Sequence, residues 1–561
     1  MTKEKNLYFR FYGLISFIVC GIILLSLPRA DSFAQEDNQL VGLTKQIIES
    51  KTNDGLYAPF DELKTIYFKD NKYPDFVEFL KSLTLKKKEI EPFVDYYIAL
   101  TRYSQLKYLE EKQNWDEYFS QGNTYRDEIT AAAQKSIDAT GPKDALWVYA
   151  RLLLWQFHKD QQDVLAEQAL ADLMSSVSEY SKEASDPLPI KNAADKLLSY
   201  GEKSKSRELY KIYVSKIVSS DIKDDQLKNT AEDFYKQGNL ELSEAIYDVY
   251  LERIIKSLPK EESTAVLIDI AKLFAYPATS ALGGSASGGK NEGPNDMLYA
   301  EKIFNKIEEL AGKEYFNQDL IYLRAFNLEK AKEYQKAKDI YVDFVQRFLA
   351  DSRVEQATYK IGVICAYVLR DIKCGRDNFV KLAEKETTTP YVISSLYQLG
   401  LLSQWENDLE KAKGYYNKLL EKAKEDFSET LAMAKERIKE IEEARPMEYN
   451  IKTFLDVSLK GTELTGDMQK LSLNASSYIL NKGKEVIITS GAYVPESGCM
   501  QVELQYLWSG DLEKTKPPLE QLPLSPSFAT SYKDLGTKLI NLVVIAPGGI
   551  LDRNIDMLDV Y

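Results

Sequence analysis

At 561 residues the chain is too long for a single hydrophobic core, so two or more packing units are expected. Hydrophobic residues make up 44% and charged residues 28%, the balance of an ordinary soluble globular protein. A formal net charge of −14 argues against a general nucleic-acid or anionic-membrane binder, since those need clustered Lys and Arg; the one basic run, Lys86-Lys87-Lys88, reads as a solvated helix face or turn.

Residues 1–34 read as a targeting segment. Lys3, Lys5 and Arg10 precede an apolar run from Phe11 to Leu27, Pro28 breaks it, and Ser32-Phe33-Ala34 sets small residues for a signal-peptidase cut before Gln35. The alternative is an uncleaved anchor, because the 17 apolar residues are at the short limit for a span. Lipidation of Cys20 fits poorly, as Val19 precedes it and the apolar run continues past it. The mature chain is therefore expected to be exported, periplasmic or cell-envelope associated, or secreted. Cys365, Cys374 and Cys499 remain after cleavage. No C-x-x-C occurs, so a thiol-redox or c-type haem role has no support. Cys365 and Cys374 are either bridged across a helical hairpin or two small buried thiols.

Region 35–189 shows helical periodicity back to about Leu40, with possible degenerate repeats around Ala132–Ser136 and Ala169–Leu173. From residue 190 an internal repeat is explicit. A small-x3-aromatic-x2-apolar unit occurs at Ser206/Tyr210/Tyr213 and Ser243/Tyr247/Tyr250, and recurs at Ala300/Phe304/Ile307 and Ala337/Tyr341/Phe344. Gly375/Phe379/Leu382 and Ala412/Tyr416/Leu419 follow; the steps are 37, 57, 37, 38 and 37 residues. Offsets of four and three place each trio on one helical face. Twelve residues upstream of five of the small positions stand Ala194, Ala231, Ala325, Val363 and Gly400. Two helices per unit with a small residue at each crossing predict antiparallel pairs stacked into an α-solenoid over 190–445.

This spacing resembles tetratricopeptide (TPR) repeats, and Arg347-Phe348-x3-Ser352-Arg353-x3-Ala357-x-Tyr359-x2-Gly362 resembles the junction in envelope TPR proteins of the Tol–Pal coordinator and outer-membrane assembly lipoprotein types. The repeat length departs from the commoner 34 residues, and the Pro often found at the end of the second helix is missing. The resemblance implies a scaffold without specifying a partner.

The step of 57 hides an insertion at 277–295, Gly-rich and bounded by Pro277 and Pro294, between a first helix at Thr264–Tyr276 and a second at Asp296–Leu310. It matches no phosphate loop and reads as a mobile or partner-contacting loop. Pro446 ends the solenoid after Arg437–Glu443. Over 447–561, strands are predicted at Ile451–Leu459, Lys470–Asn474, Glu485–Thr489, Met500–Trp508, Ser527–Tyr532, Lys538–Ile545 and Asp552–Tyr561. Seven short strands predict a small all-β, immunoglobulin-like sandwich. Asn481-Lys-Gly483-Lys-Glu-Val486, Tyr506-Leu-Trp508-x-Gly510-Asp511 and Tyr532-x3-Gly536 resemble PKD-type domains in order. The fold class is thus multidomain and mainly α, and the two halves are expected to fold independently.

His158 is the only histidine, which removes most Ser-His-Asp triads and His-based metal sites. No EF-hand or dinucleotide fingerprint occurs, and Asp511 reads as a loop carboxylate. No catalytic residue, metal ligand or cofactor is assigned. The expected function is an exported non-catalytic scaffold that binds a protein partner through the solenoid. The alternative is a ligand-recognition protein whose β domain binds polysaccharide or cell wall. No nucleic-acid partner is expected, and the membrane would be touched only through an uncleaved N-terminal segment.

In TPR proteins the concave face is lined by the first helix of each unit. Carrying those positions over assigns partner binding to Tyr235, Tyr322, Phe326, Ile364, Tyr367, Tyr397, Leu401 and Trp405, with Lys228, Lys360, Asp319 and Glu329 as a mixed-sign rim. The other reading buries these aromatics between units or under the 277–295 loop.

Overall fold

The computed structural model describes residues 30–276, 295–423, 427–461, 471–491, 504–512, 515–546 and 549–561; for 30–37 and 551 it describes the backbone alone. The apolar run at 11–27, the insertion at 277–294 and Cys499 lie outside the described residues. The chain divides into two compact units, Met1–Lys228 and Asn229–Tyr561. Among the described residues no helix is long and apolar enough to cross a membrane.

The first unit is helical. It holds α1 (Ala30–Glu49), α2 (Asp54–Lys69), α3 (Tyr73–Thr84), α4 (Glu91–Glu111) and α5 (Trp115–Asp138), then α6 (Ala145–Asp160), α7 (Ala166–Glu183), α8 (Leu188–Ser199) and α9 (Lys203–Ser219). The segment Ser32-Phe33-Ala34 falls within α1. An aromatic core ties the early helices together: Phe60 stacks on Tyr97 at 5.0 Å, and Phe76, Phe93 and Ile129 are buried beside them. His158 is buried at the end of α6, its Nδ1 3.1 Å from Asp163 Oδ2.

The unit boundary falls within α10 (Asp224–Lys236), and the second unit continues through α11 (Leu240–Ser257) and α12 (Lys260–Phe274). It then runs through α13 (Met297–Ala311), α14 (Gln318–Lys330), α15 (Tyr334–Arg347), α16 (Val354–Val363), α17 (Ile372–Ala383), α18 (Pro390–Trp405), α19 (Leu409–Lys422) and α20 (Ser428–Glu442). The repeat trios are buried, as their spacing requires. At the crossings small residues permit close approach. Ser206 Oγ donates to the Ala194 carbonyl and Ser243 Oγ to that of Ala231, each at 2.8 Å. A Cβ on Gly400 would stand 2.3 Å from the Tyr416 ring, and one on Gly362 2.6 Å from Phe379. Asp296, Asn317, Asp371 and Thr389 cap the helices that follow them. A π-helical turn at Ile364–Val368 separates α16 from α17, and Cys365 and Cys374 are joined by a disulfide across it, Cα–Cα 5.7 Å.

The run Ile451–Leu459 is not a strand. It forms α21 (Tyr449–Leu455) and a second π turn, Asp456–Lys460, because Phe454, Leu455, Val457 and Leu459 bury together as a helical surface. The sandwich comprises β1 (Ser472–Ala475), β2 (Ile479–Leu480), β3 (Glu485–Gly491), β4 (Gln505–Gly510), β5 (Thr515–Lys516), β6 (Ser527–Ser531), β7 (Gly536–Ala546) and β8 (Gly549–Val560). One sheet has the order β1-β3-β6-β5 and the other β2-β8-β7-β4, with β2 parallel to β8 and the other pairs antiparallel. This is the four-on-three strand order of an immunoglobulin-type sandwich, with a short parallel strand added at one edge. Alternating burial along β3 and β6 aims Val486, Ile488 and Phe528 inward, against Trp508, Leu542 and Leu558 of the facing sheet. The protein is a helical solenoid followed by an all-β sandwich.

Candidate functional site

The sandwich lies on the first-helix face of the solenoid, and this decides where the expected groove residues sit. Phe326 is fully buried within the sandwich core, beside Leu480 and Val486. Tyr322 is fully buried against Tyr341, Phe344 and the Arg353 guanidinium. Tyr367 is buried on Phe454 and donates to Gln398 Oε1 at 2.6 Å, and Ile364 and Leu401 are buried as well. Tyr235 donates to the Leu273 carbonyl at 2.9 Å. Trp405 is half-buried, its Nε1 donating to Asp456 Oδ1 at 3.0 Å. Tyr397 lines a cavity.

Two rim residues are also interior. Lys360 and Glu329 are buried rather than exposed, because each meets opposite charge from a distant segment. Lys360 Nζ is 2.7 Å from Asp559 Oδ2 and 3.1 Å from Glu329 Oε2; Lys330 Nζ is 2.7 Å from Glu329 and 3.4 Å from Asp556. Tyr341 donates to Glu329 Oε2 at 2.8 Å and Tyr334 to the Ile555 carbonyl at 3.0 Å. Burial alone would raise the Glu329 carboxyl, but the Lys330 and Lys360 ammoniums bring it down to about 2. Asp319 is half-buried and pairs with Arg353 at 2.8 Å, and Lys228 is half-buried as well.

Sandwich and solenoid part around a cleft of about 560 Å3. One wall is α20 with α21; the other is β4 and the turn Leu519–Leu524. The sandwich fixes this wall: Asp534 Oδ2 accepts the Glu429 and Thr430 amides at the N-terminus of α20, and Asn450 donates to the Trp508 carbonyl at 2.9 Å. The lining is mainly apolar, from Tyr397, Met433, Tyr506, Leu519, Leu522 and Pro523.

Arg437 reaches into this cleft. It is 4% exposed; its Nη2 holds Glu440 and Glu448, each at 3.1 Å, while Nε and Nη1 are buried without a hydrogen-bond partner. Ser509 Oγ, on the opposite wall, is likewise buried and unpartnered. Leaving such donors unmade is costly, so the site favours an occupant that brings acceptors. The surrounding carboxylates of Glu429, Glu436, Glu448, Glu520 and Asp511 disfavour an anion. Asp511 accepts the Leu539 amide at 2.7 Å and burial raises its carboxyl above the ordinary range. The chemistry suited to these walls is a neutral acceptor, such as a peptide carbonyl, carried on an apolar body.

Among the described residues no cluster of three or more His, Cys, Asp or Glu side chains could hold a metal ion. Sequence reasoning reached Tyr397 but missed Met433 and Arg437, which share α20, and Ser509 of β4; an Arg on the inner face of the last solenoid helix was the available signal. Comparison of the chain with protein-family models and with curated proteins finds no match in either.

Proposed function

We propose that the protein is an exported, non-catalytic scaffold that holds an extended segment of a protein partner in the cleft between α20–α21 and β4. Arg437 carries this reading: a buried guanidinium with two unmade donors in a mainly apolar cleft suits a backbone carbonyl flanked by apolar side chains. The repeat pattern, which resembles TPR scaffolds, supports a binding role, and the Cys365–Cys374 disulfide supports an oxidising, exported location. Polysaccharide recognition has less support, because Trp508, the aromatic a sugar ring would stack on, is 3% exposed and its Nε1 is bonded to the Ser525 carbonyl at 3.0 Å.

A photo-crosslinking amino acid at Met433, in the full-length chain within its own cell envelope, tests this. The expected adduct is one defined peptide of another exported protein, lost in Arg437→Lys, which keeps the charge beside Glu440 but removes the spare guanidinium donors. Adducts to glycan or lipid alone, or a peptide adduct indifferent to Arg437→Lys, would refute the proposal.

A further inference from the structure

The first unit holds a cavity of its own, about 770 Å3, on which the proposed function does not draw. Its walls are tyrosines: Tyr57 from α2, Tyr96 and Tyr97 from α4, Tyr149 from α6 and Tyr180 from α7. Tyr57 and Tyr149 meet edge to face at 6.0 Å, and Tyr96 and Tyr97 at 5.1 Å, so the rings form a cage rather than a flat platform.

Four carboxylates stand among the rings, from Asp54, Asp61, Asp144 and Asp186, against the two ammoniums of Lys64 and Lys143. The excess is two negative charges. Asp144 accepts Tyr57 OH at 3.1 Å, Asn53 Nδ2 at 2.6 Å and the Leu146 amide at 2.9 Å; Asp61 accepts Tyr97 OH at 3.0 Å. A carboxylate has about four acceptor positions, so both retain capacity.

Tyr180 supplies the independent sign of a ligand. It is 1% exposed and lines the cavity, and among the described residues its hydroxyl has no hydrogen-bond partner. Burial first, then the charges of Asp186, Asp144 and Asp54, hold its hydroxyl protonated well above the usual phenol range, so its oxygen stays a neutral acceptor. The cavity also shows how it treats an ammonium. Lys64 Nζ lies 2.6 Å from Asp61 Oδ1 and 6.0 Å from the centre of the Tyr97 ring, held by one carboxylate and one aromatic face.

We propose that this tyrosine and aspartate cavity binds an organic ammonium ligand carrying two or more primary amines, with one ammonium received by the Tyr180 hydroxyl and the neighbouring carboxylates. Free linear diamines and polyamines share this chemistry with lysine side chains of a polypeptide.

Calorimetric titration of the full chain with cadaverine, spermidine and a capped Lys-Ala-Lys peptide separates the two sources, with a neutral oligosaccharide as comparison. The expected result is saturable binding of at least one amine probe, weakened as NaCl rises from about 30 mM to about 300 mM. Tyr180→Phe, which deletes only the hydroxyl, should weaken it roughly three- to tenfold with no change in melting temperature. Asp54→Asn, at an exposed carboxylate, should weaken it independently. Binding of the free amines alone assigns a small-molecule ligand; binding of the peptide alone assigns a lysine-bearing chain. No heat with any amine, binding of the oligosaccharide in their place, or affinity untouched by both variants would overturn the proposal.

Discussion

Replacing Lys360 by Met is the sharpest test of how the sandwich is held on the solenoid. Methionine keeps the length and apolar stem of the side chain and removes its charge. Among the described residues Asp559 then keeps the Thr537 hydroxyl, Oγ1 at 2.7 Å, and Glu329 keeps Lys330 and Tyr341. Removing one partner of a buried ion pair costs about 3–5 kcal/mol, and the lower end applies because both acids retain a bond. The unit spans 229–561, or 333 residues, so at about 2.1 cal/mol/K per residue its unfolding entropy is near 0.7 kcal/mol/K. A loss of about 3 kcal/mol lowers the melting temperature by about 4 °C. The acid limb should move as well. Glu329 titrates near 2 when folded against an ordinary 4.5, so its stabilisation, about 3 kcal/mol, is fully present above 4.5 and lost as pH falls toward 2. With Lys360 gone its folded value rises, that stabilisation shrinks, and acid unfolding begins at higher pH. Calorimetry at neutral pH and urea unfolding between pH 3 and 7 measure both, while amide exchange should rise together in β8 and α16. Adding Asp559→Leu should recover most of the loss, since an apolar pair then replaces the ionic one. A single variant that melts within a degree of the parent, with unchanged exchange, would mean that the sandwich is not seated on this face.

Glu244 should make stability fall with rising pH. Its carboxyl is raised to about 7, by burial first and then by Asp296 and Asp248 against Lys302. The folded value exceeds the unfolded 4.5, so the protein loses about 1–2 kcal/mol, after solvent screening, as pH rises from 4.5 to 7. Glu244→Gln should abolish that decline, and a parent melt flat across this window would contradict the assignment. Gly400→Ala drives a methyl into the Tyr416 ring and should cost about 2–3 kcal/mol, whereas Gly414→Ala, facing open space in α19, should gain about 0.5–1 kcal/mol; equal melting of the two variants would refute the crossing argument. Non-reducing peptide mapping of the protein from its native host should find Cys365 linked to Cys374, and alkylation of both without reductant would exclude the bridge.

The repeat was legible because its signal is local. A small residue, an aromatic four on and an apolar residue three further can only share a helical face, and all six trios are buried. The strands from Glu485 onward were legible for the same reason, as β3 alternates strictly at its first four positions. Ile451–Leu459 misled because a short apolar run fits both periods, although three successive buried residues, Val457-Ser458-Leu459, do not alternate as a half-buried strand would. The groove positions marked the inner face of the first helices, but not what covers it. That depends on Lys330 and Lys360 meeting Asp556 and Asp559 some two hundred residues away. Buried charge on a nominally exposed helix face and buried acids in a final strand are each uninformative until paired. The cleft was less legible still, since Tyr397, Arg437 and Ser509 share no local pattern.

A sandwich tethered to the face it covers behaves as an internal ligand. Joined in one chain, it presents itself to the first helices at an effective concentration in the millimolar range or above. A free segment whose affinity for that same face only equals the sandwich's own would therefore have to reach about that effective concentration before displacing it. Competition of this kind excludes casual partners from Tyr322, Phe326 and Tyr367, and leaves recognition to surfaces that the tether creates rather than to those it hides.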